Sequence, residues 1–417
     1  YSFVMLFYLF PFFFSFHCKQ WGFQPRRLLK ISDKKQGMKI AFFTDTYVPN
    51  KDGVVSSILA TRRALGAMGH EVYVFTSGSR KDKKENRDQM VNYFTSTTFK
   101  PYPDYKIALF PFLAPNKLKK YKIDLIHTHG IATMGLAALQ AAGSLKLPVV
   151  GTFHTMVTDA THYISKNKLV DRVAKQMIWN YLKWFFNRCD ASIAPTATVK
   201  EIMSDHGIRR IEVAPSGIDL GRFPATNTPH DGTIGLYLGR VALEKNLTLL
   251  IESVPHIMKT RPDFRLTIAG RGPALDYYKK LVAQKWFGRW ITFTGIIPDN
   301  ELAAAYGKCD VFAMPSKFET QGLSVIEAMT CGKPVVASKY LALKEIVRNG
   351  YNGYLSDGNE PKEFAEKILK ALGEKGKLAI GARKTAERFS AEKCTKRLLE
   401  IYGQEIERNR ERRERKK

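Results

Sequence analysis

Two glutamates, Glu319 and Glu327, lie on either side of Gly322 in the segment KFETQGLSVIEAMTCGKPVV. The pattern predicts that Glu319 lies in a loop after a strand and that Glu327 lies on the helix that begins near Gly322 and Leu323. A loop carboxylate can face sugar hydroxyls, and a carboxylate two turns further on can accept hydrogen bonds from a ribose. Backbone N–H groups at a helix start suit a diphosphate. Acids also favour the first turns of ordinary helices, and this alternative remains open.

Arg240 and Lys245 supply two positive charges at a predicted strand-to-helix turn, in the segment GRVALEKNLTLL. Cations at this spacing can straddle a diphosphate and stabilise the charge that develops as a nucleoside diphosphate leaves. Two solvated basic residues are the alternative in a chain this basic. Gly270 and Gly272, in AGRGP, predict a tight turn that opens a helix. A glycine pair is weak evidence alone, and its value is its position between the other two motifs.

The first half of the chain offers fewer candidates. Gly53 follows the first predicted strand, in a loop where glycine would let the backbone approach a phosphate or a sugar. His154 ends the predicted strand PVVGTFH, where a cleft residue would lie. A buried structural histidine is the alternative for this position. His127 and His129, in HTHG, are interpreted as framework residues.

Several other kinds of site have no motif in this sequence. No GxGxxG fingerprint occurs, so a dinucleotide cofactor is not indicated. A DxD triplet, an HExxH motif and a histidine cluster are also missing, which disfavours a metal-dependent mechanism. Walker and GxSxG motifs are absent as well. We therefore predict neither a cofactor nor a bound metal.

Positioning these residues requires two series of strands and helices. From residue 38 onward, short apolar runs alternate with amphipathic segments, which is typical of parallel sheets with crossover helices. The series join near residues 212–220, so we predict an α/β fold with two doubly wound domains, 38–212 and 213–390, that face a cleft where ligands bind. The predicted strands are KIAFFTD, EVYVFTS, DLIHTH, PVVGTFH, ASIAPT, TIGLYLGR, FRLTIAGRG, ITFTGII, CDVFAMPS and PVVAS, and the predicted helices are 56–68, 132–145, 247–259, 275–284, 301–307 and 323–330.

The composition is that of a folded protein with a strong positive charge. A chain of 417 residues with 44% hydrophobic residues is long enough for two buried cores. The formal net charge of +27 indicates anionic partners. Phospholipid headgroups, nucleic acid and solvated faces all remain candidates. The five cysteines contain no CxxC pair, so neither a disulfide framework nor a zinc site is indicated, and a reducing compartment such as the cytoplasm fits best.

The N-terminal segment, residues 1–37, begins with the aromatic run YSFVMLFYLFPFFFSFH. This run is short for a membrane anchor, which needs roughly 20 apolar residues, and it contains Pro11. A signal peptide would carry its basic residues before the apolar run, whereas here they follow it. The third interpretation is an upstream extension outside the working protein, because Met38 would begin a natural first strand.

GRVALEKN, AGRGP, PSKFETQGLSVIEAMTCGKPVV and the upstream PSGIDLGRF together resemble the retaining glycosyltransferases of family 4, which have the GT-B fold. The likeness runs from about residue 38 to about residue 402, and its specific part is the E-x7-E spacing followed by GKPVV. It implies that Glu319 contacts the donor sugar and Glu327 the ribose. It also implies that Arg240 and Lys245 bind the diphosphate.

The resemblance has further implications for the first domain and for the reaction. His154 would lie beside the transferred sugar and the diphosphate, and Gly53 would belong to a loop that contacts the donor. The family retains the anomeric configuration without a metal, by front-side attack assisted by the leaving phosphate. Residues 391–407, within the last region 391–417, are expected to form a helix that crosses back onto the first domain.

A narrower likeness concerns the acceptor. DTYVPNKDGVVSS, YPDYKIALFP and FETQGL, in place of the commoner FEGFGL, are similar to the subgroup that glycosylates diacylglycerol and related lipids. Residues 169–186, LVDRVAKQMIWNYLKWFF, predict a basic amphipathic helix that suits an anionic membrane surface. Its apolar residues are Val170, Val173, Ala174, Met177, Ile178, Tyr181 and Phe185, with Arg172, Lys175 and Lys183 alongside. The alternative is a helix that packs its apolar face on its own domain.

These observations predict a cytoplasmic enzyme, peripheral on the inner face of the cell membrane, that moves glucose from UDP-glucose to a diacylglycerol-type lipid. The same donor chemistry with a soluble sugar, sugar-phosphate or oligosaccharide acceptor is the nearest alternative. A nucleotide-sugar epimerase is more remote. A basic nucleic-acid-binding protein has only the charge in its favour, because no nucleic-acid-binding motif occurs, and we predict no nucleic-acid partner.

Overall fold

The computed structural model describes residues 37–50, 52–98, 106–109, 111, 114–156, 168–224 and 228–416. The predicted N-terminal extension, 1–37, lies outside this part of the chain except for its last residue. Two sheets flanked by helices form the α/β fold that the sequence predicts.

The first sheet belongs to the N-terminal half. Its strands are β1 (Lys39–Thr44), β2 (Glu71–Gly78), β3 (Val91–Thr98), β4 (Lys106–Ala108), β5 (Leu125–Thr128), β6 (Val149–Thr152), β7 (Ala191–Ala194) and β8 (Ile211–Val213). Their order is β4-β3-β2-β1-β5-β6-β7-β8, and β4 alone runs antiparallel to its neighbour. The helices are α1 (Gly53–Ala67), α2 (Arg80–Glu85), α3 (Ala114–Tyr121), α4 (Thr133–Leu145), α5 (Lys168–Phe186) and α6 (Ala197–Asp205). The central strands are almost continuously buried, because helices cover both faces of such a sheet.

The second sheet is parallel throughout, in the order β11-β10-β9-β12-β13-β14. Its strands are β9 (Thr233–Leu238), β10 (Phe264–Ala269), β11 (Ile291–Gly295), β12 (Val311–Met314), β13 (Val335–Ser338) and β14 (Gly353–Ser356). The helices that follow in this half are α7 (Leu247–Met258), α8 (Leu275–Gln284), α9 (Leu302–Gly307), α10 (Leu323–Thr330), α11 (Leu343–Ile346), α12 (Pro361–Gly373) and α13 (Lys375–Ala386). One apolar core fills this domain.

The last helix, α14 (Ala391–Glu414), returns to the first domain. Leu398, Ile401 and Tyr402 are buried in the core that contains β1. The helix begins where predicted but continues past residue 407. Glu405 is buried and pairs with Arg408, whereas most of the residues after it are exposed. The crossing of this helix onto the first domain is confirmed.

Each strand and helix that the sequence predicts is present, with shifts of a few residues at some ends. Helix α8 and helix α10 have the predicted bounds, whereas α1 starts three residues earlier than predicted because Asp52 caps it through Val55 N–H at 2.8 Å. Strands β3, β4, β8 and β14 were not predicted. β3, with the sequence VNYFTSTT, has no continuous apolar run because it lies one strand from the sheet edge.

Candidate active site

Lys245 and Glu319 form an ion pair at the carboxyl ends of the second sheet. Lys245 ends a 3₁₀ turn after β9, and Glu319 lies in the loop after β12. The ammonium nitrogen Nζ lies 2.7 Å from Glu319 Oε1 and 2.9 Å from the Phe318 carbonyl oxygen. Each of the paired side chains is only 15% exposed. The predicted cation and the predicted carboxylate therefore meet at one point.

Arg240 lies on the turn directly after β9, and its side chain is exposed. The turn is held by a hydrogen bond that Tyr237 Oη donates to the Arg240 carbonyl at 2.7 Å. Gly270 and Gly272 pack against this turn. A Cβ atom at Gly270 would lie 1.8 Å from the Gly239 carbonyl oxygen, and the φ angle of Gly270 is 134°. The two glycines thus shape the turn that presents Arg240, and their contact with a donor stays a prediction.

The start of α10 faces the start of α1 across the two domains. A Cβ atom on Gly53, the first residue of α1, would lie 3.5 Å from Leu323 Cδ1 at the first residue of α10. Gly322 precedes α10 with a φ of 71°, and no side chain of the described residues caps this helix. The N-terminal ends of two helices therefore lie close together, and the positive end of a helix dipole favours a phosphate.

Glu327 lies on α10, partly buried, and accepts a hydrogen bond from Tyr306 Oη at 2.8 Å. Burial raises the pKa of Glu327 to about 7, although Tyr306 and Arg222 act to lower it. The carboxyl group therefore changes its charge near neutral pH. In its ionised form it can accept hydrogen bonds from two hydroxyl groups on one ligand, as the ribose assignment requires.

His154 lies after β6 and contacts a second histidine. Its Nε2 is 2.9 Å from His129 Nδ1, and burial lowers the pKa of His154 to about 4, so the ring is neutral at physiological pH. His127 instead bonds to Tyr402 on α14 and to Thr152 on β6, which makes it a framework residue as predicted. His154 therefore lies on the side of the first domain that faces the loop of Glu319.

His129 is a candidate site residue, although the HTHG pattern predicts a framework role for it. It is 8% exposed, and its Nε2 has no hydrogen-bond partner among the described residues. Because side chains two residues apart lie on one face of a strand, alternation could not separate it from His127. Its place after the last residue of β5, at the carboxyl end, is the signal that could have done so.

A narrow cavity lies beside the two histidines. Its lining includes Asp45, Val54, His129, His154, Leu182 and Phe186. Asp45 accepts hydrogen bonds from Ala132 N–H and Met134 N–H at the start of α4 and is therefore a structural acid. The cavity combines polar groups near His154 with apolar side chains from α5.

The helix α5 divides its apolar residues between the core and the surface. Trp179, Leu182, Phe185 and Phe186 are buried. Leu169, Val173 and Met177, at successive i+4 positions, are 67%, 52% and 45% exposed. The predicted apolar face is therefore partly wrong, because it assigned Val173 and Met177 to the same face as Phe185. In the part of the chain that the structure describes, no helix is both long and apolar enough to span a membrane.

Comparisons with known proteins agree with this arrangement. The sequence model of Glycosyltransferase Family 4 matches residues 51–222, and that of Glycosyl transferases group 1 matches residues 222–392. The alpha-monoglucosyldiacylglycerol synthase of Streptococcus pneumoniae is 30% identical over 351 residues, which cover 80% of this chain and 78% of the relative. The enzyme of the same name from Acholeplasma laidlawii is 30% identical over 342 residues, covering 78% and 86%.

Solved structures show the same fold. HepE of Anabaena in complex with UDP superposes with a TM-score of 0.70 at 19% identity, covering 87% of this chain and 99% of that one. Sucrose-phosphate synthase from Thermosynechococcus elongatus gives a TM-score of 0.68 at 22% identity, covering 88% and 98%. With the two sheets and the sequence relatives above, this chain belongs to glycosyltransferase family 4: it is a hexosyltransferase of the GT-B fold that is similar to the lipid glucosyltransferase subgroup.

Proposed function

We propose that this enzyme transfers glucose from UDP-glucose to a diacylglycerol-type lipid, with retention of the anomeric configuration and without a metal. The observation that carries the donor half is the meeting of two helix starts, at Gly53 and Leu323, beside the Lys245–Glu319 pair. A dianionic diphosphate would bind beside them, where the helix dipoles and two basic side chains offset its charge.

The roles of the donor residues follow from this placement. Arg240 and Lys245 stabilise the charge on the leaving diphosphate. Glu319, which holds Lys245, directs its second carboxylate oxygen toward sugar hydroxyls, and Glu327 accepts hydrogen bonds from the ribose. The neutral ring of His154 offers a hydrogen bond to the sugar rather than a charge. HepE was solved in complex with UDP, which supports a donor whose sugar is linked to uridine diphosphate.

In the proposed front-side mechanism, the acceptor hydroxyl attacks from the side of the leaving diphosphate. The departing phosphate oxygen takes the proton of that hydroxyl as the bond to the anomeric carbon forms and the bond to the phosphate breaks. No protein nucleophile is needed in such a step. Basic side chains supply the positive charge that a metal ion would otherwise supply.

The acceptor half rests on the relatives and on α5. Two relatives are named for monoglucosyldiacylglycerol synthesis. Leu169, Val173 and Met177 form an exposed apolar stripe on α5, and Arg172 is exposed next to it. An apolar stripe with basic neighbours suits the interface of an anionic membrane. We therefore infer a peripheral enzyme on the cytoplasmic face of the cell membrane.

The test uses the full chain with UDP-[14C]glucose and vesicles that contain diacylglycerol and an anionic phospholipid. We expect a labelled lipid that α-glucosidase cleaves and β-glucosidase does not, formed equally well with excess EDTA. Glu319→Gln is the matched inactive variant. Absence of labelled lipid across several sugar donors would reject the proposal. Label found only on added soluble sugars or sugar phosphates would assign a soluble acceptor instead.

A further inference from the structure

The loop between Glu319 and Gly322 is fastened to the first domain and to the connection between the domains. Its two middle residues, Thr320 and Gln321, are the positions at which FETQGL differs from the commoner FEGFGL. Gln321 Nε2 donates to the Ser216 carbonyl at 2.7 Å, and Ser216 N–H donates to Gln321 Oε1 at 2.8 Å. Gln321 is only 5% exposed, so both hydrogen bonds are shielded from water.

Thr320 makes the neighbouring contacts. Its hydroxyl donates to the His154 carbonyl at 2.7 Å, and its own carbonyl accepts from Thr196 Oγ1 at 3.3 Å. His154 and Thr196 both belong to the first domain, after β6 and before α6. The residue next to Glu319 is therefore bonded to the backbone of the histidine that faces the donor site.

We propose that Gln321 is a positioning residue, which fixes the loop of Glu319 against Ser216 and so holds Glu319 in its working place. This inference rests on the proposed function for its kinetic part. A carboxamide suits the role because it carries one donor and one acceptor, and it can pair with both backbone groups of one residue. A phenylalanine in the same place could make neither hydrogen bond.

A separate contact joins the two domains without involving the loop of Glu319. Glu345, before the end of α11, accepts hydrogen bonds from Ala197 N–H at 3.1 Å and Thr198 N–H, so it caps α6 of the first domain. The two domains therefore stay connected through Glu345 when the hydrogen bonds of Gln321 are removed. The specific consequence of losing Gln321 is a displaced Glu319, which lowers kcat more than it changes the KM for the donor.

The experiment compares the full-length wild type with Gln321→Leu, Gln321→Glu and the control Gln284→Glu, which adds the same charge at an exposed residue of α8. Hydrogen exchange of the segment that contains Ser216 reports the hydrogen bond itself. Steady-state transfer reports its effect on catalysis. For Gln321→Leu we expect faster exchange at Ser216 and a loss of about tenfold in kcat, which corresponds to about 1.4 kcal/mol.

Gln321→Glu gives a readout that a merely structural role would not move. The ionised carboxylate repels the Ser216 carbonyl, whereas the protonated acid donates to it again. We expect its activity relative to the wild type to recover as the pH is lowered, while that of Gln321→Leu does not. Faster exchange with an unchanged kcat, or equal pH profiles for both variants, would overturn the inference. If the wild type transfers no glucose but exchange at Ser216 still depends on Gln321, the proposed function fails and the contact stands.

Discussion

Nζ of Lys245 and Oε1 of Glu319 lie 2.7 Å apart, although 74 positions separate the two residues in the chain. Both side chains are largely shielded from water. Removing either side chain leaves a poorly hydrated charge without its partner. The same ion pair therefore stabilises the second domain and fixes the position of Glu319.

A double-mutant cycle at this pair tests that relationship. Lys245→Ala and Glu319→Ala should each lower the free energy of unfolding by about 1 to 3 kcal/mol, and the double variant should lose clearly less than the sum. Urea unfolding measures this. The control cycle is Lys285 with Glu252, which lie 2.9 Å apart but are 39% and 32% exposed, and whose coupling should be about 0 to 1 kcal/mol. Equal coupling in the two cycles would contradict the prediction.

The pH dependence of donor binding reports Glu327. Burial raises the pKa of its carboxyl group to about 7, above the usual range, so the ionised form that accepts ribose hydrogen bonds predominates only above that pH. Affinity for UDP-glucose should therefore be highest above pH 7 and fall by up to about tenfold per pH unit below it. Calorimetry with UDP-glucose measures this, because its phosphates keep constant charge in this range. Glu327→Gln should show a flat profile, and a slope equal to that of the wild type would mean that another group titrates.

The exposed stripe of α5 should carry membrane binding. Val173→Ser with Met177→Ser should weaken sedimentation with anionic phospholipid vesicles by about tenfold or more, because two apolar side chains no longer leave water on binding. Ile380→Ser is the control, since that side chain is 60% exposed on α13 of the other domain. Equal loss in both variants would indicate nonspecific adsorption. Raising the salt concentration should weaken binding of the wild type as well.

The contact of α14 with the first domain should have a measurable effect on stability. Tyr402→Phe removes the hydroxyl group that bonds to His127 Nδ1 and leaves that buried nitrogen without a partner. We expect a loss of about 1 to 3 kcal/mol in the free energy of unfolding. Tyr351→Phe, at a ring that is 40% exposed, should change it little. Thermal melts of both variants make the comparison, and an unchanged melt for Tyr402→Phe would show that packing alone holds the helix.

Local sequence patterns determined the two series of strands and helices, the α/β class and the order of the donor motifs. Buried parallel strands need apolar runs, and the helices that follow them often begin at a glycine in a short turn. A few neighbouring residues are therefore enough to predict the strand in TIGLYLGR and the helix in FETQGLSVIEAMT. Strands at or next to a sheet edge mix polar and apolar residues, so local patterns did not predict β3 and β4. It also explains the error on α5, whose stripe could be assigned to core or solvent only with neighbours in place.

Only the tertiary structure decided which of these residues meet. The pairing of Lys245 with Glu319, of His129 with His154 and of Gln321 with Ser216 joins residues that are 25 to 105 positions apart. Such contacts depend on how two sheets and their connection are oriented, and no short pattern encodes that orientation. The sequence alone therefore predicted the residue types of a donor site, whereas the fold brought two helix starts together and buried an ion pair.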